Sequence, residues 1–357
     1  MSGRENSEAW WDVDNYFYDL PKELIAQEPA PERDLSRMLR YSLKSGRVEH
    51  LVFRDITGLL REGDLLVLNN CKVAPARLFV RREGTGTLIE LLLTSEDGDG
   101  LYTATVRPGH SCKPGVRFAH GELKGEFLEI LPDGQRKVRF EASSAAVNAF
   151  LEKEGTVPLP PYIERPKGPS EASDRRRYQT VYAKAGRAVA APTAGLHFTE
   201  DILKTLAQKG VETLEVTLNV GLGTFKPVKV RDIRQHEMHT ESFVFTEEQA
   251  GRLNEARAKG ARIVAVGTTS LRVLESCLDE KGLFRSGLSE TAIFIHPPLK
   301  VRSIDCLLTN FHLPKSTLLM LVAALIGDEW RKLYAEAVAE RYRFFSYGDC
   351  MFLEDLR

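Results

Sequence analysis

His197 lies at a point of the sequence where an imidazole could act in catalysis. It belongs to the stretch VAAPTAGLHFTEDIL, between a turn with Pro192 and Gly195 and a helix that begins after Thr199. Amide dipoles at the start of that helix disfavour an imidazolium, and a neutral imidazole there could serve as a base or a hydrogen-bond partner. From the pattern alone, a histidine that only packs between its apolar neighbours is the favoured interpretation.

The segment RQHEMHTESF places imidazoles and carboxylates close together. In an extended strand, Glu237, His239 and Glu241 would share one face, where carboxylates can tune an imidazole as a proton acceptor. The segment does not contain the HExxH zinc motif, and no third ligand is suggested nearby, so no metal site is predicted. A solvated edge strand explains the segment equally well.

Two further segments have the pattern of a strand, a polar turn and a helix. VAVGTTSLRVLES presents small hydroxyls and N–H groups at residues 267–270, where a helix start suits a carboxylate. LLTNFHLPKSTLLM places Asn310 and His312 before a helix whose first turn is compatible with Pro314. Capping is the simpler role for such hydroxyls, but two such junctions in one domain favour a small-molecule site.

The segment LNVGLGTFKPV has two glycines, Gly221 and Gly223, after a predicted strand. Glycines permit close approach of a ligand to the backbone. The segment has neither the GxGxxG nor the GxxxxGK[ST] phosphate-binding pattern, and a tight turn explains it equally well.

Composition limits the class of protein. The chain has 357 residues, and its 49 basic and 50 acidic side chains nearly cancel. No overall electrostatic attraction to nucleic acid is therefore indicated. The three adjacent arginines of DRRRY, Arg175, Arg176 and Arg177, could still contact an RNA backbone locally, with a solvated loop as the alternative.

The cysteines and the apolar segments predict a reduced, cytoplasmic protein without membrane association. Five cysteines are scattered without a CxxC spacing, so neither a disulfide framework nor a zinc site is predicted. The apolar run LLMLVAALI is far shorter than the ~20 residues that a membrane helix needs. The N-terminal segment lacks a secretory leader pattern.

The elements that must position these residues predict an α/β protein with a mixed sheet and a small inserted antiparallel β-barrel. Six short strand patterns, separated by glycine-rich turns, predict the barrel at residues 73–149. Alternating strand and helix patterns predict a discontinuous α/β domain from residues 1–72 and 150–357. Ligands of such sheets collect beyond the carboxyl ends of the strands.

Together these segments resemble one family. APTAGLHFT and TNFHLPKSTLLML are its most specific strings, and LPKELIAQEPAPERDLSRML, VTLNVGLGTFKPV, HEMHTESF, VGTTSLRVLES and FFSYGDCMFL follow its order and spacing. The sequence is similar to the S-adenosylmethionine:tRNA ribosyltransferase-isomerases of queuosine biosynthesis. The family fold, as the resemblance implies, is an α/β domain with a small inserted β-barrel.

The resemblance also implies a reaction. The ribosyl moiety of S-adenosylmethionine is transferred to 7-aminomethyl-7-deazaguanine at the tRNA wobble position and isomerised, which gives epoxyqueuosine-tRNA and releases adenine and methionine. The partners are then the donor and the tRNA that carries the precursor base, with no obligatory protein partner. The sulfonium acidifies the adjacent ribose carbon, so a neutral base is expected, whereas neither a metal nor a redox cofactor is.

For the reaction that the resemblance implies, we assign candidate roles to residues of this sequence. His197, His239 and His312 are acid/base candidates, and Glu237 or Glu241 would orient one of them. The donor site would be formed by Pro192, Thr193, Ala194, Gly195, Gly221, Gly223, Thr224, Gly267, Thr268, Thr269 and Ser316, with polar contacts from Arg272, Asn310, Lys315 and Asp349. Two departures matter: Asn219 stands where the family commonly has histidine, and Cys71 where a hydroxyl residue is usual.

Two other functions compete with this one. An S-adenosylmethionine-dependent RNA methyltransferase would be expected to have a glycine-rich loop after its first strand and an acidic residue at the end of its second. No such pairing is found. A non-catalytic RNA-binding protein built around the barrel would leave the junctions between residues 189 and 318 unexplained.

Overall fold

The computed structural model describes residues 10–165, 172–221 and 228–357. The chain forms two compact units, which we call the sheet unit and the barrel unit. The sheet unit comprises Met1–Lys72, Pro160–Ile163 and Gln179–Arg357, and the barrel unit comprises Val73–Leu159 and Glu164–Tyr178.

The strands and helices of both units are numbered here in chain order. The strands are β1 (Arg37–Ser42), β2 (Val48–Val52), β3 (Leu65–Asn69), β4 (Cys71–Val73), β5 (Arg77–Arg82), β6 (Leu88–Gly98), β7 (Leu101–Arg107), β8 (Arg117–His120), β9 (Leu123–Ile130), β10 (Arg136–Phe140), β11 (Ala185–Ala188), β12 (Glu212–Leu218), β13 (Glu241–Val244), β14 (Ile263–Val266), β15 (Glu290–Thr291), β16 (Cys306–Asn310) and β17 (Cys350–Glu354). The helices are α1 (Ile56–Leu59), α2 (Ser144–Glu154), α3 (Ala172–Arg177), α4 (Glu200–Gln208), α5 (Glu247–Ala258), α6 (Gly267–Ser276), α7 (Thr317–Ile326) and α8 (Glu329–Ala339).

The sheet unit is organised around a mixed sheet. Its described strands follow the order β15-β13-β12-β3-β14-β16-β17-β1-β2. The central strands β12, β3, β14 and β16 run parallel to one another, so their carboxyl ends meet at the same edge. Strands β13 and β17 pair antiparallel on either side of this group. The predicted α/β class with a mixed sheet is confirmed.

The central strands are apolar because both faces of the sheet are covered. Every residue of β3, β14 and β16 is buried, and apolar clusters lie on each face. Continuous apolar runs such as IVAV are typical of parallel strands that lie between layers of helices. This packing makes the carboxyl-terminal edge a rigid frame for the loops that follow.

Three helices of the sheet unit begin at a side-chain cap. Thr199, Thr246 and Ser316 each accept a hydrogen bond from the backbone two or three residues into α4, α5 and α7. Because Ser316 is the N-cap of α7, Pro314 precedes the helix and is not part of its first turn. Among the described residues, no helix is long and apolar enough to cross a membrane.

The barrel unit contains a closed antiparallel barrel with the order β10-β7-β6-β5-β8-β9. Along its strands, buried residues such as Leu78 and Val80 of β5 alternate with more exposed ones. The predicted inserted barrel is confirmed. The unit continues past residue 149, because Leu151 of α2 packs into this core and Thr156 pairs with Arg77.

Candidate active site

A cavity lies at the carboxyl-terminal edge of the central strands. Its empty volume is about 980 Å³, including the part open to solvent. The residues after β14 and β16 form two of its walls, and the turn that follows β11 forms a third. The lining comprises Tyr162, residues 190–194, Val220, residues 267–269, residues 309–314, Ser316, Leu318, Phe345 and Ser346. This size suits a nucleoside-sized ligand.

His312 is an unprotonated imidazole in the cavity wall. Burial lowers its pKa from 6.5 to about 3, because an imidazolium would lose its hydration there. His312 Nε2 lies 2.8 Å from Thr309 Oγ1, and Tyr18 Oη donates to the backbone oxygen of His312 at 2.5 Å. The Thr309 contact orients the ring, and the Tyr18 contact fixes the backbone that carries it. The unprotonated ring can accept a proton from a bound ligand.

His197 is placed differently. It is buried and does not line the cavity, but its Nε2 lies 3.3 Å from Nδ2 of Asn310, which does. Burial, followed by the positive charge of Arg343, lowers the pKa of His197 to about 3, so its ring is neutral as predicted. The ring also packs at 5.3 Å from that of Phe53. The structure thus puts His197 behind the cavity wall.

The turn at residues 267–270 opens helix α6 at the cavity. Gly267 has φ +84°, a backbone conformation that favours glycine, and it lines the cavity with Thr268 and Thr269. Ser270 Oγ donates to the backbone oxygen of Val266 at 2.8 Å. Thr269 Oγ1 is buried without a partner among the described residues. A ligand oxygen could thus take a hydrogen bond here.

Glu241 and Arg272 form a buried ion pair beside this turn. Their side chains are 4% and 7% exposed, and Arg272 Nη1 donates to Glu241 Oε2. The other carboxylate oxygen, Oε1, accepts from the backbone N of Gly221 at 2.9 Å. Within the described part of the chain, Nε and Nη2 of Arg272 have no hydrogen-bond partner. The pair joins the first residue of β13 to α6, and the carboxylate also binds Gly221, which follows β12.

Comparison with known proteins identifies the family. The model of a family described as "Queuosine biosynthesis protein" matches residues 13–353. The chain belongs to this queuosine biosynthesis family. The predicted family resemblance is therefore confirmed.

Relatives of this family member match it along almost its whole length. Proteins named S-adenosylmethionine:tRNA ribosyltransferase-isomerase from Acetivibrio thermocellus and Desulfitobacterium hafniense are 48% and 47% identical to it, over 96% of this chain and 99% of each relative. A crystal structure of S-adenosylmethionine tRNA ribosyltransferase from Thermotoga maritima is 36% identical, with a TM-score of 0.51, and the match covers 96% of this chain and 99% of that one.

The cavity of the queuosine biosynthesis protein brings together many of the predicted site residues. Those that line it are Pro192, Thr193, Ala194, Gly267, Thr268, Thr269, Asn310, His312 and Ser316. Gly195 is buried next to them, and a Cβ at this position would come within 1.9 Å of Tyr182 Oη. The segment before α4, the first turn of α6 and the segment before α7 thus meet at one place.

Other predicted residues lie elsewhere. Glu237 and His239 are exposed and precede β13, whereas Glu241 is the buried first residue of that strand, so the three do not share one strand face. Lys315 Nζ lies 2.5 Å from Asp14 Oδ1, outside the cavity lining. Asp349 is buried and accepts from the backbone N of Arg37 and Arg343. Gly223 and Thr224 lie outside the described residues.

The three arginines of DRRRY form the last turn of α3 in the barrel unit. Arg175 and Arg176 are exposed, and Arg177 is half-buried. Arg175 Nη2 donates to the backbone oxygens of Glu152 and Gly155 at 2.7 and 3.1 Å. Their contact with RNA stays a prediction.

Several cavity residues were missed by the sequence analysis. Tyr162 comes from the proline-rich segment, its ring lies 4.3 Å from that of Phe345, and its hydroxyl lies 2.5 Å from Ser346 Oγ. Thr309, the partner of His312, is an ordinary strand residue in the sequence. The signal that could have located Tyr162 and Phe345 is the presence of aromatic residues in PPYIER and FFSYGD, two segments rich in turn residues.

Proposed function

We propose that this chain is an enzyme that transfers the ribosyl moiety of S-adenosylmethionine to 7-aminomethyl-7-deazaguanine at the tRNA wobble position and isomerises it. The products are epoxyqueuosine-tRNA, adenine and methionine. Near-complete coverage of relatives named S-adenosylmethionine:tRNA ribosyltransferase-isomerase supports this function. The observation that links this function to a site is the neutral His312 in the wall of the cavity.

In this proposal, His312 acts as the base that starts the reaction. A sulfonium acidifies the ribose carbon attached to sulfur, and removal of a proton from that carbon needs a base that is unprotonated near neutral pH. The lowered pKa of His312 keeps its ring in that form. The neighbouring hydroxyl of Thr309 fixes the ring and, within 2.8 Å, stabilises the imidazolium that forms.

The methionine carboxylate of the donor would lie at the start of α6. That helix has ten residues, and its free N–H groups carry partial positive charge towards the cavity. Thr268 and Thr269 add hydroxyl donors there. The unpartnered Thr269 Oγ1 supports this orientation, because a bound carboxylate would satisfy it.

The tRNA must present its modified base unstacked, since a base within the anticodon stack could not enter the cavity. Arg175, Arg176 and Arg177 are candidate contacts with its backbone. We place the reaction in the cytoplasm, where tRNA is found and free cysteines, as at the five buried positions here, persist. No metal or redox cofactor is required, because the sulfonium itself supplies the electrophile and S-adenosylmethionine is consumed as a substrate.

The test is an incubation of the enzyme with S-adenosylmethionine and tRNA that carries the deazaguanine precursor. Nucleoside mass spectrometry should detect the ribosyl addition, and adenine and methionine should appear in equal amounts. S-adenosylhomocysteine as the product would instead establish a methyltransferase. Binding of tRNA without any change in nucleoside mass would establish a non-catalytic RNA-binding protein.

A further inference from the structure

Asn310 holds its side-chain amide in one orientation at the wall of the cavity. It is the last residue of β16 and is 3% exposed. Its Nδ2 lies 3.1 Å from the backbone oxygen of Phe345, 3.4 Å from that of Asp349 and 3.3 Å from Nε2 of His197. All three neighbours can accept a hydrogen bond, so the nitrogen side of the amide is fully engaged.

The opposite orientation of the amide is excluded by its neighbours. Rotation by half a turn would bring Oδ1 against two backbone carbonyl oxygens, and no donor would replace the lost N–H groups. The neutral ring of His197 contributes to this selection, because its Nε2 can accept from Nδ2 of Asn310. His197 therefore acts on Asn310 as a positioning residue.

The oxygen side of the same amide is unused. Asn310 Oδ1 is buried and has no hydrogen-bond partner among the described residues. A buried acceptor without a donor destabilises a folded protein unless a ligand or water supplies that donor. Asn310 lines the cavity, so a bound ligand is in a position to do so.

We propose that Asn310 Oδ1 accepts a hydrogen bond from the exocyclic amino group of a purine-type base in the cavity, which makes Asn310 a specificity-determining residue. The inference rests on the proposed function, which brings two such bases to the enzyme, the adenine of the donor and the deazaguanine of the tRNA. Both carry an amino group on the ring. The aromatic pair of Tyr162 and Phe345 offers a flat base an apolar contact in the same cavity.

Asn310 is a polar group of this wall that presents an unused atom in one fixed orientation. The hydroxyls of Thr269 and Thr309 can donate or accept by rotation, and His312 can change tautomer, so these groups adapt to either kind of ligand. Asn310 Oδ1 accepts only. A base with a carbonyl oxygen in place of the amino group would put two acceptors together, and the enzyme should reject it.

The test compares ligands with and without the amino group on the full-length enzyme. In the first arm, calorimetry measures binding of S-adenosylmethionine, of its 6-oxo analogue S-inosylmethionine and of the analogue with hydrogen at position 6. In the second arm, anticodon stem-loops carry either 7-aminomethyl-7-deazaguanine or the same base without its 2-amino group. In one of these arms, the wild-type enzyme should prefer the amino ligand by about tenfold or more.

Variants then connect the preference with Asn310. Asn310→Ala should reduce the preference in that arm to less than about twofold, and His197→Phe should weaken it while leaving Oδ1 in place. Asn254→Ala is the matched control, because Asn254 is a half-buried asparagine whose oxygen and nitrogen both bond the backbone of Phe284. It should keep the wild-type preference. Circular dichroism verifies that each variant is folded.

The wild-type ligand comparison keeps the inference falsifiable even where Asn310→Ala does not fold. Equal affinity for amino and non-amino ligands in both arms would overturn it, as would a preference that survives in folded Asn310→Ala. This failure differs from failure of the proposed function. An enzyme that makes the product without amino preference overturns the inference alone, and one that binds with the preference but makes no product overturns the function alone.

Discussion

Thr309 Oγ1 and His312 Nε2 lie 2.8 Å apart in the wall of the cavity. The two residues bracket the turn that leaves β16, so the strand fixes the hydroxyl and the hydroxyl fixes the ring. This contact occupies one ring nitrogen and leaves the other, Nδ1, without a hydrogen-bond partner among the described residues. The imidazole therefore has one nitrogen for orientation and one for a substrate.

Thr309→Val should lower kcat by about tenfold, because the isosteric side chain removes the hydrogen bond that orients His312. KM for S-adenosylmethionine should change less than kcat. Thr309→Ser restores the hydroxyl and should recover most of the turnover. Steady-state assays of adenine release separate the two constants, and equal kcat values for the valine variant and wild type would contradict an orienting role.

The buried histidines should make stability depend on pH. His197 and His312 have a pKa of about 3 in the folded protein, below the ordinary 6.5, so the unfolded chain binds protons first as the pH falls. The free energy of unfolding should then decrease between pH 7 and pH 5, by about 2 kcal/mol for each histidine. Urea unfolding at the two pH values measures this decrease.

Substitution isolates the contribution of one ring. His197→Gln should show a decrease that is smaller than that of wild type by about 2 kcal/mol. His110→Gln, at an exposed histidine of the barrel unit, should show the wild-type decrease. A wild-type pH dependence in His197→Gln would mean that the pKa of the His197 ring is not lowered in the folded wild-type protein.

Glu241→Gln should destabilise the sheet unit by about 3–5 kcal/mol, because it leaves the Arg272 guanidinium buried without its counter-ion. The matched control is Glu255→Gln, which breaks an exposed pair with Lys259, whose side chains are 65% and 70% exposed. This change should cost far less stability than Glu241→Gln, because solvent screens the exposed pair. Denaturant unfolding measures the loss of stability in both variants. Equal losses would argue against a buried ion pair.

Gly195→Ala should destabilise the wall of the cavity, since the new Cβ would lie 1.9 Å from Tyr182 Oη. Tyr182→Phe removes that hydroxyl, which has no hydrogen-bond partner in the described residues, and should recover part of the loss in the double variant. Gly251→Ala, in α5 with no atom within 4 Å of the new Cβ, should stabilise the protein by about 0.5–1 kcal/mol. Thermal unfolding of Gly195→Ala, Tyr182→Phe and the double variant gives the coupling free energy between the two positions, with Gly251→Ala as the control. Additive effects of the two substitutions would contradict the close contact.

The local patterns of the sequence predicted the fold and much of the cavity. Glycine-punctuated strands predicted the barrel, and the strand-turn-helix patterns after β14 and β16 located Thr268, Thr269, Asn310 and Ser316. These features depend on short-range geometry, such as alternation in strands and hydrogen bonds at a helix start. The carboxyl ends of parallel strands then necessarily meet at one edge.

Long-range packing determines the positions of site residues that local sequence patterns could not predict. His197 is the last residue of a 3-10 helix, Thr193–His197. The direction of its ring is set by Phe53 and Asn310, which are distant in sequence. Tyr162 reaches the cavity from a proline-rich segment without regular structure. Glu241 is buried because it begins a paired strand, whereas the residues before it have no strand partner in the described chain.

The central claim, that His312 is the base of a ribosyl transfer, is tested most directly by loss of deuterium from S-adenosylmethionine labelled at the ribose carbon next to sulfur. The wild-type enzyme with substrate tRNA should release the label to solvent. His312→Gln should release it at least 100-fold more slowly while binding S-adenosylmethionine within a few fold of wild type. A His312→Gln enzyme that releases the label at the wild-type rate would contradict the account.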